Sequence, residues 1–497
     1  MYLISFFIVA VITFISWYQI KYRRRNYLLS KIPSPKKLPV FHHLIEFIGK
    51  DAQGVFDWLE IQGKKFKPVY QFTVSPFDPG CAVVSDVKII EALLTSQTQL
   101  NKTVDYDLLV PWIGTGLLIS SGKKWFQRRK LLTPGFHFQI LEKFVDIMNQ
   151  QAKVFVNQFE KYDGKFVDMF PLVNLYALDT VCEAAMGINM HAQTKDSEYL
   201  RAVKEVTIIE MIRSFDETKR NQFLFQFTDM YKREQHCIKI LHEFTDGVIQ
   251  KRREELLTIN QVDDADDVGK KKKKALLDIL LSSTIDGKPL SNLDIREEVD
   301  TFTFAGHDTT TSGISFTFYN IAKYPEVQQK IYDEIVEVIG DDQELTIQKL
   351  NSLHYLDLVI KESLRMFPPV PYYGRKLSEE LTAGGYTFPK DMNVYVSPYI
   401  LGKNPDIYPE PEKFNPHRFE AERSYDKVNP FSYIPFSAGS RNCIGQKFAQ
   451  YELKVIVSTV LKHFKLTLDK KQENLKLIAE LILRPVDGIN VYVEKRN

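Results

Sequence analysis

The chain has 497 residues, and Lys+Arg 65 against Asp+Glu 63 leave a formal charge of +2, which gives no support to a polybasic nucleic-acid binder. Gly 23 and Pro 23 exclude collagen-like and low-complexity chains. Four scattered cysteines (Cys81, Cys182, Cys237, Cys443) are too few for a disulfide framework or a Cys-rich zinc site.

Met1 to Ile20 carries no charged side chain. As a helix it spans roughly 30 Å, the thickness of a bilayer core. Lys21, Arg23, Arg24 and Arg25 follow at once, so residues 1–20 read as a transmembrane anchor whose positive flank keeps the rest of the chain cytosolic. Residues 21–45 read as a basic, Pro-rich linker, stiffened by the prolines between Lys31 and Pro39. Residues 46–497 read as one large domain. Short β-branched or aromatic runs predict strands near 69–74, 81–85, 394–397 and 489–493. Apolar residues at helical spacing predict helices near 138–161, 225–257, 292–322, 326–339 and 446–463. The charge blocks Asp263 to Asp267 and Lys270 to Lys274 read as a solvated loop. The result is a mainly α fold with small β-sheets.

The predicted helix at 292–322 opens on Ser291 with Asp294 three residues on, a capping pattern. Its middle, Ala305-Gly306-His307-Asp308-Thr309-Thr310-Thr311, is rich in poor helix formers, and a local rule broken inside a long helix marks a functional position. Gly306 offers bare backbone to a flat ligand, while Ala305 and Thr309 share a face. Packing with a kink is the alternative. His307 reads as a packing or surface side chain. Glu362 and Arg365 are an i, i+3 ion pair ahead of Pro368-Pro369. Further on, Phe436-Ser-Ala-Gly439-Ser-Arg441-Asn-Cys443-Ile-Gly445 precedes a helix-like run. A cysteine at a helix N-terminus meets N–H groups that favour thiolate. The glycines allow close approach and positive φ, and Arg441 offers a cation to a carboxylate. A lone cysteine is more often an inert buried thiol; the spacing of Phe436, Gly439, Arg441, Cys443 and Gly445 points instead to a thiolate holding haem iron.

That segment resembles the haem-binding loop of the cytochrome P450 monooxygenases, and the resemblance runs over nearly the whole chain. It implies the α-rich cytochrome P450 prism around a buried haem b, with Cys443 as the iron ligand. It places an acid–alcohol pair for proton delivery on Asp308 and Thr309, since dioxygen must receive two protons before its O–O bond breaks. It assigns Trp125, Arg129 and Arg375 to the haem propionates, and makes Glu362, Arg365 and Arg418 (in Pro416-His417-Arg418-Phe419) a structural triad. Within the family the chain looks most like the fourth group, through Pro111-Trp-Ile-Gly-Thr-Gly-Leu-Leu118, Thr133-Pro-Gly-Phe-His-Phe138 and Glu298 to Thr310. Members of that group often hydroxylate fatty acids near the terminal carbon. Many carry a glutamate, which can be esterified to the haem, where this chain has Ala305. Haem held only by the Cys443 bond and non-covalent contacts is therefore expected, and acid–acetone should extract all of it; pigment left on the protein overturns this. Expected pocket walls are Trp112, Phe302, Ala305, Val370 and Leu483.

Gly114-Thr-Gly116 lacks the third glycine of a dinucleotide fingerprint. Electrons are therefore expected from a separate reductase, which the resemblance implies is an NADPH-dependent flavoprotein, with a cytochrome b-type protein as a second donor, docking on Lys123, Lys124, Arg128 and Lys447. The expected location is the endoplasmic reticulum membrane, with dioxygen and a lipophilic small molecule as substrates. Steroid or xenobiotic substrates, a reductase-independent peroxide isomerase and a non-enzymatic binding protein are the alternatives. The acid–alcohol pair argues against the isomerase.

Overall fold

A computed structural model describes residues 2–39, 41–75, 77–262, 275–340, 344–420, 429–479 and 481–496. The charge-block loop at 263–274 lies outside the described residues. The helix Asn292–Lys323 runs through the middle of the molecule, and most of its side chains are buried. It starts where the capping pattern predicts: Ser291 accepts from the Asp294 N–H, and the Asp294 carboxylate accepts from the Ser291 N–H. Three other helices carry the remaining walls. Met169–Met186 packs directly across the central helix. Gln446–His463 packs against Phe138–Phe159 and against the central helix. The helices predicted near 138–161, 326–339 and 446–463 are observed as Phe138–Phe159, Pro325–Ile339 and Gln446–His463, and that near 225–257 as Asp229–Val262.

A four-stranded sheet flanks the helical body. Its order is Val69–Phe72, Cys81–Val84, Asn393–Val396, Tyr373–Lys376, with the middle pair parallel and the outer pairs antiparallel. In this register Arg375 lies opposite Val394, on a strand with its first three residues buried. A second sheet joins Phe464–Leu468, Asn490–Lys495 and Phe166–Asp168.

The predicted triad is one buried unit. Arg365 grips Glu362 at both carboxylate oxygens, Nε to Oε2 at 2.7 Å and Nη2 to Oε1 at 2.9 Å. Arg418 Nε adds a contact to Oε1 at 3.3 Å, and the Asn415 N–H donates to the same oxygen at 2.9 Å. Arg365 also donates to the Gly402 carbonyl, tying the helix His354–Met366 to the segment Pro398–Gly402.

The first helix extends from Tyr2 to Ser30. Ten of the residues assigned to a linker are therefore helical in part of their length: Leu28 and Leu29 are buried against the domain, as is Ile32 beyond the helix. Arg24 is held by Glu380, at 2.5 and 2.6 Å. Among the described residues no helix is long and apolar enough to cross a membrane; most side chains of residues 1–15 lie outside the described residues.

Candidate active site

A cavity of about 310 Å³ lies in the interior. Cys443 forms part of one side, and Ala305, Gly306 and Thr309 of the central helix are also in its wall. The cysteine loop is set by backbone: Cys443 N–H donates to the Phe436 carbonyl at 2.9 Å. Gly439 sits at φ +69°, and a Cβ there would overlap the Leu94 carbonyl oxygen, so only glycine fits. Gly445 has a negative φ, unlike the expectation for both glycines; its contribution is an N–H to the Cys443 sulfur. The sulfur is solvent-accessible by surface area, but what it faces is this internal cavity, so it is desolvated. Burial pushes its thiol up, against the pull of the Gly445 N–H and of Arg129. The helix-terminus effect expected from the sequence is thus outweighed, and a metal cation bound at the sulfur would shift the balance to thiolate.

Four cations gather at the same cavity: Lys102, Arg129, Arg375 and Arg441. Arg441 lies over the Trp125 ring at 4.5 Å and donates to the carbonyls of Leu117 and Ser120. Arg129 is anchored on the cysteine loop, donating to the Asn442 carbonyl at 2.8 Å and to its side-chain oxygen at 2.5 Å. None of the four forms an ion pair among the described residues, and the buried Arg441 Nε has no partner. Burial and then the neighbouring Arg375 and Arg129 drag Arg441 down to about 9. Lys102 is pushed well below its ordinary value by burial, with Arg375 and Arg441 adding to it. Uncompensated buried cations are costly. This group is the complement of a ligand that brings carboxylates to the rim of an apolar slot. Lys102 and Tyr106 escaped the sequence reading because nothing local distinguishes them.

On the central helix Thr309 lines the cavity, with its hydroxyl donating to the Ala305 carbonyl at 2.7 Å. Asp308 does not line it. Its carboxylate accepts from Arg484 Nη2 at 2.8 Å through both oxygens and borders a smaller adjoining chamber. The alcohol and the acid therefore serve different spaces. Gly306, in the cavity wall, has a second reason to be glycine besides the expected one. A Cβ there would stand 2.5 Å from Val181 Cγ2, so glycine is required by the crossing helix Met169–Met186. His307 is buried and bonded to Asn174, Nε2 to Nδ2 at 2.8 Å.

Of the expected walls, Phe302, Ala305 and Val370 line the cavity, but Trp112 and Leu483 do not. Trp112 packs edge-on against Phe304, ring centroids 5.3 Å apart, and borders the smaller chamber. Leu483 is fully buried in the core, with its carbonyl accepting from Ser312; Leu481 and Ile482 take the wall instead. The expected basic docking face is largely used up. Lys124 pairs with Glu297 at 2.6 Å, Lys123 lies 3.3 Å from Asp286, and Arg128 is buried against Asp294 and Glu298. Lys447 stays exposed.

The sequence matches the Cytochrome P450 family model over residues 32–493. This chain belongs to the cytochrome P450 family. It is 42% identical to cytochrome P450 4d10 of Drosophila mettleri over 98% of this chain and 97% of that protein. It is 41% identical to cytochrome P450 4V2 of Pongo abelii over 96% and 92%. The solved haem domain of cytochrome P450DA superposes with a TM-score of 0.80 at 24% identity, covering 94% of this chain and 98% of that one, and it shows the fold. The relatives in the fourth group and the family match make the protein a cytochrome P450 monooxygenase with a haem cofactor. The cavity fits that group: a buried sulfur, apolar walls, and unpaired cations suited to two propionates.

Proposed function

We propose that the protein hydroxylates an apolar substrate, a fatty acid or related lipid, using dioxygen and electrons from an NADPH-dependent reductase. The observation that carries this reading is the cavity lining. The cavity wall includes the apolar side chains Leu109, Leu118, Phe302, Phe304 and Val370, which favour an alkyl chain by burial alone. Resemblance to the fourth group supports a lipid over a steroid or xenobiotic. A spectral binding screen across fatty acids, steroids and apolar xenobiotics tests the choice: fatty acids should shift the haem spectrum at the lowest concentrations, and tighter binding of a steroid overturns it.

Cys443 holds the iron, and Arg129, Arg375, Arg441 and Trp125 orient the propionates. So held, haem supplies the oxidising chemistry that places one oxygen atom of dioxygen in a C–H bond. The protein's own part is proton control. Thr309 Oγ1 satisfies its proton on the Ala305 carbonyl and leaves lone pairs facing the cavity, so it can accept a proton and pass one on. Arg484 pairs with the Asp308 carboxylate behind it, Nη2 to both oxygens at 2.8 Å. Thr309→Ala is expected to keep the haem but to divert reducing equivalents to hydrogen peroxide, with product per NADPH falling at least about tenfold, the low end for losing a proton-transfer group. Unchanged coupling removes Thr309 from the mechanism.

The division into anchor (1–20), linker (21–45) and catalytic domain (46–497) belongs to the same reading, as does placement on the endoplasmic reticulum membrane facing the cytosol. The apolar stretch and its basic flank support it. The exposed side chains of Phe223, Leu224 and Phe227 add an apolar patch suited to a lipid surface.

A further inference from the structure

The smaller chamber beside the central helix is walled by Leu109, Trp112, Thr207, Glu210, Met211, Phe304, Asp308, Leu481 and Ile482. Leu109, Phe304, Leu481 and Ile482 also line the main cavity, so an apolar partition separates the two. Thr207, Glu210 and Met211 lie at i, i+3 and i+4 on the helix Glu198–Phe215 and share one face. The chamber holds about 10 Å³, close to the threshold of roughly 10–15 Å³ for a single water.

Among the residues that border it, Trp112 Nε1 is buried without a hydrogen-bond partner and neither carboxyl oxygen of Glu210 accepts from a donor. Buried polar groups are normally satisfied by protein or by ordered water. Here a mostly apolar chamber of about one water's volume is bordered by Trp112, Glu210 and Asp308, which bring a donor, an acid and a carboxylate to it. Glu210 also has a reason to keep a proton. Arg213 Nη1 sits 2.6 Å from Glu234 but 3.7 Å from Glu210, so the shared cation serves Glu234. Two carboxyls in one buried site cannot both ionise cheaply. Burial, then the charge of Glu234 and a hydrogen bond shared with it, raise Glu210 to about 8, with Arg213 pulling the other way.

We infer that Glu210 is a buried proton-carrying acid that feeds Asp308 through one water held by Trp112 Nε1, along a route closed off from the substrate cavity. The transfer balances. The Glu210 O–H gives its proton to the water, and the water gives one to the Asp308 carboxylate. Glu210 is left anionic beside Arg213 and regains a proton from solvent. The arrangement keeps proton supply independent of whichever lipid fills the main cavity. Glu210 would be a positioning and supply residue, because it touches neither substrate nor haem. The inference rests on the role given to Asp308 above.

The test uses the full-length haem-loaded protein with a reductase, comparing Glu210→Gln, Trp112→Phe and Asp308→Asn. For Glu210→Gln the peroxide formed per NADPH should rise about three- to tenfold and the solvent deuterium isotope effect on turnover should grow. The substrate-induced spectral shift and its apparent Kd should stay within about twofold. Trp112→Phe should do the same more weakly. If Asp308→Asn perturbs coupling and isotope effect while Glu210→Gln perturbs neither, the feed through Glu210 is overturned and the role of Asp308 stands. If Asp308→Asn also changes nothing, both fall. A high-resolution crystal structure of the holoprotein gives an answer that does not depend on turnover: water density within hydrogen-bond distance of Trp112 Nε1 and Glu210 is expected, and a dry chamber overturns the inference.

Discussion

Serine in place of Cys443 is expected to abolish oxygenation while leaving the fold intact. The two side chains are nearly isosteric, and the loop geometry rests on the Cys443 N–H to Phe436 carbonyl bond and on Gly439, neither of which the substitution touches. What changes is the charge the site can carry. The desolvated cavity already pushes the Cys443 thiol up against the combined pull of the Gly445 N–H and Arg129. A serine hydroxyl is a far weaker acid than a thiol, so the same surroundings keep it neutral even against a cation. No anionic ligand then remains for the iron. Loss of an outer-shell partner typically costs about 10–100-fold in metal affinity or activity; loss of the ligand itself should exceed the upper figure. Haem content per protein, the position of the reduced carbonyl Soret band and turnover measure this together, with circular dichroism as the check on folding. A serine variant with full pigment, a thiolate-type band and unchanged turnover would overturn the assignment of Cys443.

Much of this site was legible in the sequence because its pieces are local. The capping pair Ser291 and Asp294 and the i, i+3 pair Glu362–Arg365 are observed as expected; the Cys443 loop is equally local, but Gly445 has a negative φ and burial outweighs the helix-terminus effect. Four other features were not legible, each for a physical reason. The helix Met169–Met186 shows no one-sided apolar period because Tyr176 to Cys182 are buried without a break, and a helix packed on several faces loses the pattern that reveals it. The strand Tyr373–Lys376 is short and contains Gly374 and Arg375, which weaken a strand signal. The wall is formed by Leu481 and Ile482, just before the strand Leu483–Pro485, while Leu483 turns into the core, and no periodic pattern marks residues outside a strand. The partner of Asp308 is Arg484, 176 residues away. A buried carboxylate demands a cation, but no local pattern says which one. Gly306 lines the cavity as expected of bare backbone, and the crossing Val181, which no local pattern reveals, is a second reason for glycine there.

Removing the Glu362 carboxylate is expected to be the most destabilising single change in the chain. Glu362 accepts four hydrogen bonds, two from Arg365, one from Arg418 and one from the Asn415 backbone. Its side chain is 0% exposed, with Arg365 at 1% and Arg418 at 6%. Glu362→Ala leaves two guanidiniums in the interior with carbonyl partners only, the Gly402 oxygen for Arg365 and the Glu410 oxygen for Arg418. Breaking a buried pair from one side costs about 3–5 kcal/mol, against a total of roughly 5–15 kcal/mol for a folded protein. Arg365→Ala should cost slightly less, because Arg418 and the Asn415 N–H still compensate the carboxylate. Arg418→Ala should cost least, since its contact with Glu362 is the longest of the four. Chemical denaturation of the three variants gives the order, and the double variant Glu362→Ala with Arg365→Ala should lose less than the sum of the singles. Turnover per haem in whatever fraction folds should match the parent, because the triad lies outside the cavity wall. Losses below about 1 kcal/mol for all three would reduce the triad to surface-grade ion pairing, and a fall in turnover per haem with stability intact would move it from the scaffold into the chemistry.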